Sequence, residues 1–109
     1  MLTIKAIHTP SKGTVKVISR RIADDDIKEK LKNGMITSLG LIHGPLPLMI
    51  IAGDIAEKTS NVEVAEITGI CPQHVTMLGI FGDTSSVSEA LRAVELWEKN
   101  DYKSGESLK

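Results

Sequence analysis

The stretch Thr37-Ser38-Leu39-Gly40-Leu41-Ile42-His43-Gly44-Pro45-Leu46-Pro47-Leu48-Met49-Ile50-Ile51-Ala52-Gly53-Asp54-Ile55-Ala56 decides how this chain folds. Ser38 to Ile42 is a short apolar run with one glycine for close approach, which predicts a buried strand. Gly44-Pro45 interrupts it and marks a turn. Leu46 to Ser60 then reads as a helix. Leu48, Ile51, Ile55 and Thr59 fall on one stripe, and Met49, Ile50 and Gly53 widen it. A helix that is apolar beyond one stripe is buried on more than one side. In so small a domain the second side is expected to be a subunit contact.

Working towards the C-terminus, Asn61 opens a strand that runs through Val62 and Val64 to Ile67, and a second covers Val75 to Gly82. Asp83-Thr84-Ser85 predicts the cap of a helix from Ser86 to Asn100, with Val87, Ala90, Leu91, Val94 and Trp97 on its apolar stripe. Asp101 to Lys109 is polar and expected to fray. Towards the N-terminus, Leu2 to Ala6 alternates as a strand does, and Thr9-Pro10-Ser11-Lys12-Gly13 is a turn. Thr14 to Ile18 alternates again, with Val15 and Val17 on one face, and predicts a second strand closed by Arg20 and Arg21. Asp24, Asp25 and Asp26 stand where carboxylates cap a helix start, and Asn33-Gly34 ends that helix. The expected order is strand, strand, helix, strand, helix, strand, strand, helix. This is an α+β fold, a mixed or antiparallel sheet with helices packed on it in ferredoxin-like layering. Residues 1–100 form one domain, with 101–109 as a polar tail.

Between the two central strands lies Gly69-Ile70-Cys71-Pro72-Gln73-His74. Gly69 and Pro72 both interrupt a strand ladder, so the stretch is a loop. It carries the only cysteine of the chain. Cys71 and His74 are spaced as two soft metal ligands on one loop, which is too few for a zinc site or an iron–sulphur cluster. A metal here requires copies of the loop from other chains. From the residues alone Cys71 also reads as an inert thiol, and His74 as a ligand, a hydrogen-bond donor behind one, or a solvated loop residue.

The bulk composition narrows the classes. At 109 residues with 41% hydrophobic and 25% charged residues, the chain suits a single globular domain. The net charge of −1 gives no basic field for nucleic acid. No run of about 18 apolar residues is present to span a membrane, and nothing at the front resembles a secretory signal. One cysteine leaves no internal disulfide, which suits a reducing cytoplasm. Gly40, Gly44 and Gly53 lack the spacing and lysine of a phosphate-binding loop.

Ser38-Leu39-Gly40-Leu41-Ile42, then Ile51 to Lys58, Asn61-Val62-Glu63-Val64, Gly82-Asp83, Val87 and Ala90-Leu91 together resemble the bacterial microcompartment (BMC) shell domain over about Thr37 to Glu95. The usual domain ends with a further strand and helix. Here Val17-Ile18-Ser19-Arg20 followed by the acidic helix start is similar to that piece, which implies that it is transposed to the front. The chain is thus identified as a member of the circularly permuted branch of the family. The resemblance implies cyclic homohexamers that tile with other shell proteins around encapsulated enzymes in the bacterial cytoplasm. It places the loop Gly69–His74 at the sixfold pore, Lys58 and Arg20 at the hexamer edge, and Leu2 to Ile7 in a small barrel over the pore, with residues 1–13 as that strand and turn. The Cys-Pro loop resembles that of permuted shell proteins of glycyl-radical-enzyme compartments. That likeness implies a 4Fe-4S iron–sulphur cluster held by Cys71 from several subunits, one that air can strip, for electron transfer or redox sensing. Zinc held by Cys71 and His74 is the other metal reading. Two rivals stand beside the structural one. A trimeric regulator of the PII or divalent-cation-tolerance type has similar length and layering, but two strands before the first helix argue against it. A thiol enzyme using Cys71 and His74 lacks an orienting third group.

Overall fold

A computed structural model describes residues 2–69 and 76–104. Its elements are β1 (Thr3–His8), α1 (Lys12–Ser19), α2 (Asp25–Lys32), β2 (Ser38–His43), α3 (Leu46–Thr59), β3 (Glu63–Thr68), β4 (Thr76–Gly82) and α4 (Thr84–Ser104). The four strands form one sheet in the order β1-β2-β4-β3, and every neighbouring pair is antiparallel. The expected α+β class holds, without the parallel pairing that a mixed sheet would bring.

Strand side chains alternate between faces, and here both faces are covered. Ile4, Ile42, Val64, Leu78 and Ile80 pack with Met49, Ala52, Ala56, Val87, Leu91 and Val94 of α3 and α4. Ile7, Leu39, Ala65, Ile67, Met77 and Phe81 face the other way, against Val15, Ile18, Ile27 and Leu31 of α1 and α2. The continuous apolar run of β2 follows from this two-sided burial. Gly40 supplies the close approach: a Cβ there would lie 2.9 Å from the Leu91 side chain of α4.

One predicted element is of the wrong type. Thr14 to Ile18 is not a strand but most of α1, so Val17-Ile18-Ser19-Arg20 does not supply the transposed strand. Ser11 starts the helix by accepting the Thr14 amide at 3.2 Å. Val15, Ile18 and Ile22 then recur at helical spacing towards the sheet, while Val17 is exposed. Val15 and Val17 lie within one helical turn and point to opposite sides of α1, so their alternation is not that of a strand. The strand at the outer position beside β2 is β1, paired from Thr3↔His43 to His8↔Ser38. Of the stretch Leu2 to Ile7, expected in a barrel over the pore, Thr3 to Ile7 lie in this outer strand. Residues 1–13 are not one strand and turn, because Lys12 and Gly13 already belong to α1.

The other helix boundaries follow their local chemistry. The Asp24 carboxylate accepts the amides of Asp26 and Ile27 at 3.0 and 3.1 Å and starts α2. Gly34, at φ 76°, ends it in the left-handed conformation that glycine adopts at low cost. Asp83 starts α4 by accepting the Ser86 amide at 2.8 Å. That helix continues to Ser104, four residues into the expected tail, and residues 105–109 lie outside the described residues.

Candidate functional site

Residues 70–75 join two strands whose register is set up to the ends of that segment, since β3 and β4 pair from Glu63↔Phe81 down to Thr68↔Thr76. The first stem is tied to the opposite side of the molecule. Both the amide and the hydroxyl of Thr68 donate to the Arg21 carbonyl, at 2.9 and 3.2 Å. Arg21 lies between α1 and α2, so these helices hold the stem. Gly69 is half-buried. Ile70, Cys71, Pro72, Gln73 and His74 lie outside the described residues, and so does the expected metal site they form. Among the described residues, no group of three or more His, Cys, Asp or Glu side chains is placed to hold a metal. His8 instead meets the buried Ser38 hydroxyl at 2.9 Å through Nδ1, and Ser38 lies 2.7 Å from the Thr84 hydroxyl. These groups join β1, β2 and the start of α4.

The two expected edge residues are not brought together. Lys58 lies near the end of α3 and Arg20 at the end of α1, helices that cover opposite faces of the sheet. Lys58 pairs with Asp54 one turn earlier at 2.9 Å, with both side chains exposed. The hydrogen bond that the Lys58 ammonium donates to Asp54 raises its pKa above the ordinary value, so it stays charged. A solvent-exposed pair of this kind contributes little to stability and remains open to a partner. Arg20 is exposed.

A second ion pair crosses elements. Lys30 of α2 reaches Glu63 of β3 at 2.7 Å and Asp26 at 3.2 Å. Hydrogen bonding to Glu63, then to Asp26, raises its pKa. This clamps α2 to β3, an outer strand of the sheet, on the face that α1 and α2 cover.

Helix α3 is rotated from its predicted phase. Met49, Ala52, Gly53 and Ala56 face the sheet, whereas Ile51 is exposed and Leu48 and Ile55 are half-buried. Small residues win the inner face because the helix lies close: a Cβ on Gly53 would meet the Leu78 side chain at 3.0 Å. The bulky residues are displaced outward. Leu46, Ile50 and Ile51 are exposed at 60%, 63% and 42%, a concentration of apolar surface on one helix. Beside it, a cleft of about 290 Å³ between α3 and the β3–β4 pair is lined by Ile50, Gly53, Asp54, Glu57, Val64 and Leu78. The sequence signal for this surface was the apolar run from Leu46 to Ala52, too wide for one buried stripe.

The layered domain thus presents an outward apolar helix, α3, and braces the Thr68 stem from α1 and α2. The sequence model described as the BMC domain matches residues 38–100, more than half of the chain, and the chain belongs to that family. It is a structural, non-enzymatic protein of the bacterial microcompartment shell, a compartment of the bacterial cytoplasm. Solved structures agree. The chain resembles the GrpU microcompartment shell protein from Pectobacterium wasabiae in a ligand-free structure, at 29% identity over 85% of this chain and 99% of that one, with a TM-score of 0.64. It is similar to the ligand-free GrpU shell protein from Clostridiales bacterium 1_7_47FAA at 28% identity, over 92% and 95% of the two chains, with a TM-score of 0.65. No curated protein matches the chain. The trimeric-regulator reading is not favoured by these likenesses. No described helix is long and apolar enough to cross a membrane.

Proposed function

We propose that the chain forms cyclic homohexamers that tile with other shell proteins around encapsulated enzymes. In this reading the loop Gly69–His74 lines the sixfold pore, and Cys71 from several subunits holds an iron–sulphur cluster there. The outward apolar face of α3, with Leu46, Ile50 and Ile51 exposed in the single chain, carries the assembly half of the proposal. A head-to-tail contact that closes into a ring buries this face in every copy and leaves no open ends. Lys58 and Arg20 would serve the contacts between hexamers.

The circular permutation is part of the same reading. The family match begins at Ser38, the first residue of β2, while the outer strand β1 and the helices α1 and α2 precede it. A strand-and-helix unit placed before β2 and completing its sheet is what transposition of the terminal piece produces.

The donor set suits the cluster. Cysteine thiolates are the usual ligands of iron–sulphur clusters, and a hexamer brings one from each chain to the axis. Such a cluster supplies one-electron redox chemistry, for electron transfer across the shell or for sensing, in a compartment of the glycyl-radical-enzyme type that the Cys-Pro loop resembles. The protein's part is to hold the loop stems, as Thr68 does through Arg21, and to keep the thiols together. Six thiols in a narrow space resist deprotonation by mutual repulsion, so a cation-free ring keeps most of them protonated.

The test is anaerobic reconstitution with iron and sulphide, with native mass measured in parallel. A hexamer whose bound iron falls to background in Cys71→Ser supports the proposal. Equal iron in both proteins would overturn the cluster, and a trimer or monomer in dilute solution would overturn the ring.

A further inference from the structure

Helices α1 and α2 lie side by side over the Leu39–Phe81 face, and a groove runs between them. On α1, Lys12, Lys16 and the capping Arg20 recur every four residues. On α2, Lys28 and Lys32 do the same. The groove has two lobes of about 420 and 330 Å³, which share Lys16, Ser19 and Lys32. The larger lobe adds Pro10, Val15 and Leu31, and so has a partly apolar wall. The smaller adds Arg20 and Lys28 and is lined by four cationic side chains and Ser19 alone.

Two features of this groove are unexplained by folding. The first is its unbalanced charge. Of the five basic residues, only Lys28 has a carboxylate within ion-pair distance among the described residues, Asp25 at 3.9 Å, and Asp25 is almost wholly exposed. Like charges one helical turn apart oppose each other, and here two such rows face one another. Glu29, also on α2, is exposed and makes no ion pair among the described residues. The second feature is Ser19. It is 5% exposed, yet its hydroxyl has no hydrogen-bond partner among the described residues. A buried hydroxyl without a partner is costly, and few native ones are left so. Ser19 lies at the meeting point of the two lobes.

We propose that the α1–α2 groove binds a small-molecule phosphate monoester. The smaller lobe takes the phosphate, with Arg20 and Lys28 on either side and Lys16 and Lys32 closing over it. The Ser19 hydroxyl donates to a phosphate oxygen and so gains its missing partner. The larger lobe takes the carbon body against Pro10, Val15 and Leu31. The dianion offsets both lysine rows at once, which a monovalent carboxylate does only in part. The site needs neither the pore loop nor a metal; of its residues only Arg20 is also assigned to the contacts between hexamers.

The experiment is titration calorimetry of the full assembled chain with phenyl phosphate and with inorganic phosphate, each in low salt and near 0.15 M salt. Phenyl phosphate is expected to bind, more tightly than inorganic phosphate, and both to weaken as salt screens the lysines. The double variant Lys16→Gln/Lys32→Gln, which leaves Arg20 and Lys28 in place, should weaken binding by about tenfold or more, as loss of charge-assisted hydrogen bonds does. Ser19→Ala should weaken it several-fold, and Lys5→Gln, on β1 outside the groove, should leave it unchanged. No heat from either phosphate, or undiminished binding in the double variant, overturns the site. Equal affinity for the two phosphates overturns the assignment of the larger lobe to the carbon body.

Discussion

Replacing Gly79 by alanine tests how the sheet is packed. Gly79 lies in β4, flanked by Leu41 of β2 and Ala65 of β3. On the face that meets α1 and α2, the ring of Phe81 lies over it. A Cβ at position 79 would stand 2.5 Å from Phe81 Cζ, 2.6 Å from Cε2 and 2.8 Å from Ile67 Cδ1. Carbon atoms pack at about 3.5–4.0 Å, so the ring must retreat by about an ångström. It has little room, since Phe81 and Ile67 are 0% and 3% exposed and protein interiors are close-packed. Overpacking of this kind costs about 1–3 kcal/mol. Alanine recovers about 0.5–1 kcal/mol of the backbone entropy that glycine loses in a strand. Gly79→Ala is therefore expected to destabilise by about 0.5–2 kcal/mol, read as a lower urea midpoint at fixed protein concentration. In a Phe81→Leu background the methyl has space, and the cost of Gly79→Ala should shrink by about 1 kcal/mol in the double-mutant cycle. A neutral Gly79→Ala, or the same cost in both backgrounds, would show that the ring does not occupy the space above this glycine.

Three further outcomes are expected. Amide hydrogen bonding from Ser86 holds the Asp83 carboxyl below its ordinary pKa, so its contribution is complete above the unfolded aspartate value near pH 4 and is lost as pH falls through the lower folded value; Asp83→Asn should flatten the wild-type loss of stability below about pH 4, and an unchanged acid profile would remove Asp83 from that role. Ile50→Asp places a charge on the exposed apolar face of α3, and native mass should fall from hexamer to smaller species while circular dichroism stays that of the folded chain; a hexamer that persists would move the subunit contact elsewhere. Lys58→Ala should keep the hexamer but impair extended sheets in electron microscopy, and unaltered sheets would free Lys58 from the edge.

Much of the framework was readable because its cues are local. Asp24 and Asp83 announce helix starts, Gly34 announces a helix end, and the apolar run Ser38 to Ile42 announces a strand buried on both faces. What escaped was decided by tertiary contact. Thr14 to Ile18 has the composition of a strand and a weak alternation, and only the Ser11 cap and the spacing of Val15, Ile18 and Ile22 reveal α1. That single misreading also hid the basic row Lys12, Lys16, Arg20, which has no meaning at strand spacing. The phase of α3 could not be read from hydrophobicity, because close approach to Leu78 selects Ala52, Gly53 and Ala56 over the bulkier Ile51 and Ile55. The strand order β1-β2-β4-β3 joins residues distant in sequence, and no local pattern encodes it. Cys71 was conspicuous by composition alone, and the role proposed for it depends on copies of the chain that a single sequence does not describe.

The register of β1 bears on how this protein is handled. Thr3 sits beside His43, and His43 ends the strand that runs to the same edge of the sheet as the Thr68–Thr76 stem. Thr3 and the Thr68–Thr76 stem therefore share one rim, with β1 about two strand spacings, roughly 10 Å, from β4. The Leu2 amide is moored there to the Glu98 carboxylate of α4 at 2.6 Å. Anything joined ahead of residue 2, whether an affinity tag, a fluorescent protein or a cargo adaptor, leaves the molecule from that rim. In the ring proposed above, with the loop Gly69–His74 at its pore, it would be multiplied around the opening, and the choice of tagged end would become a choice about whether the passage stays clear.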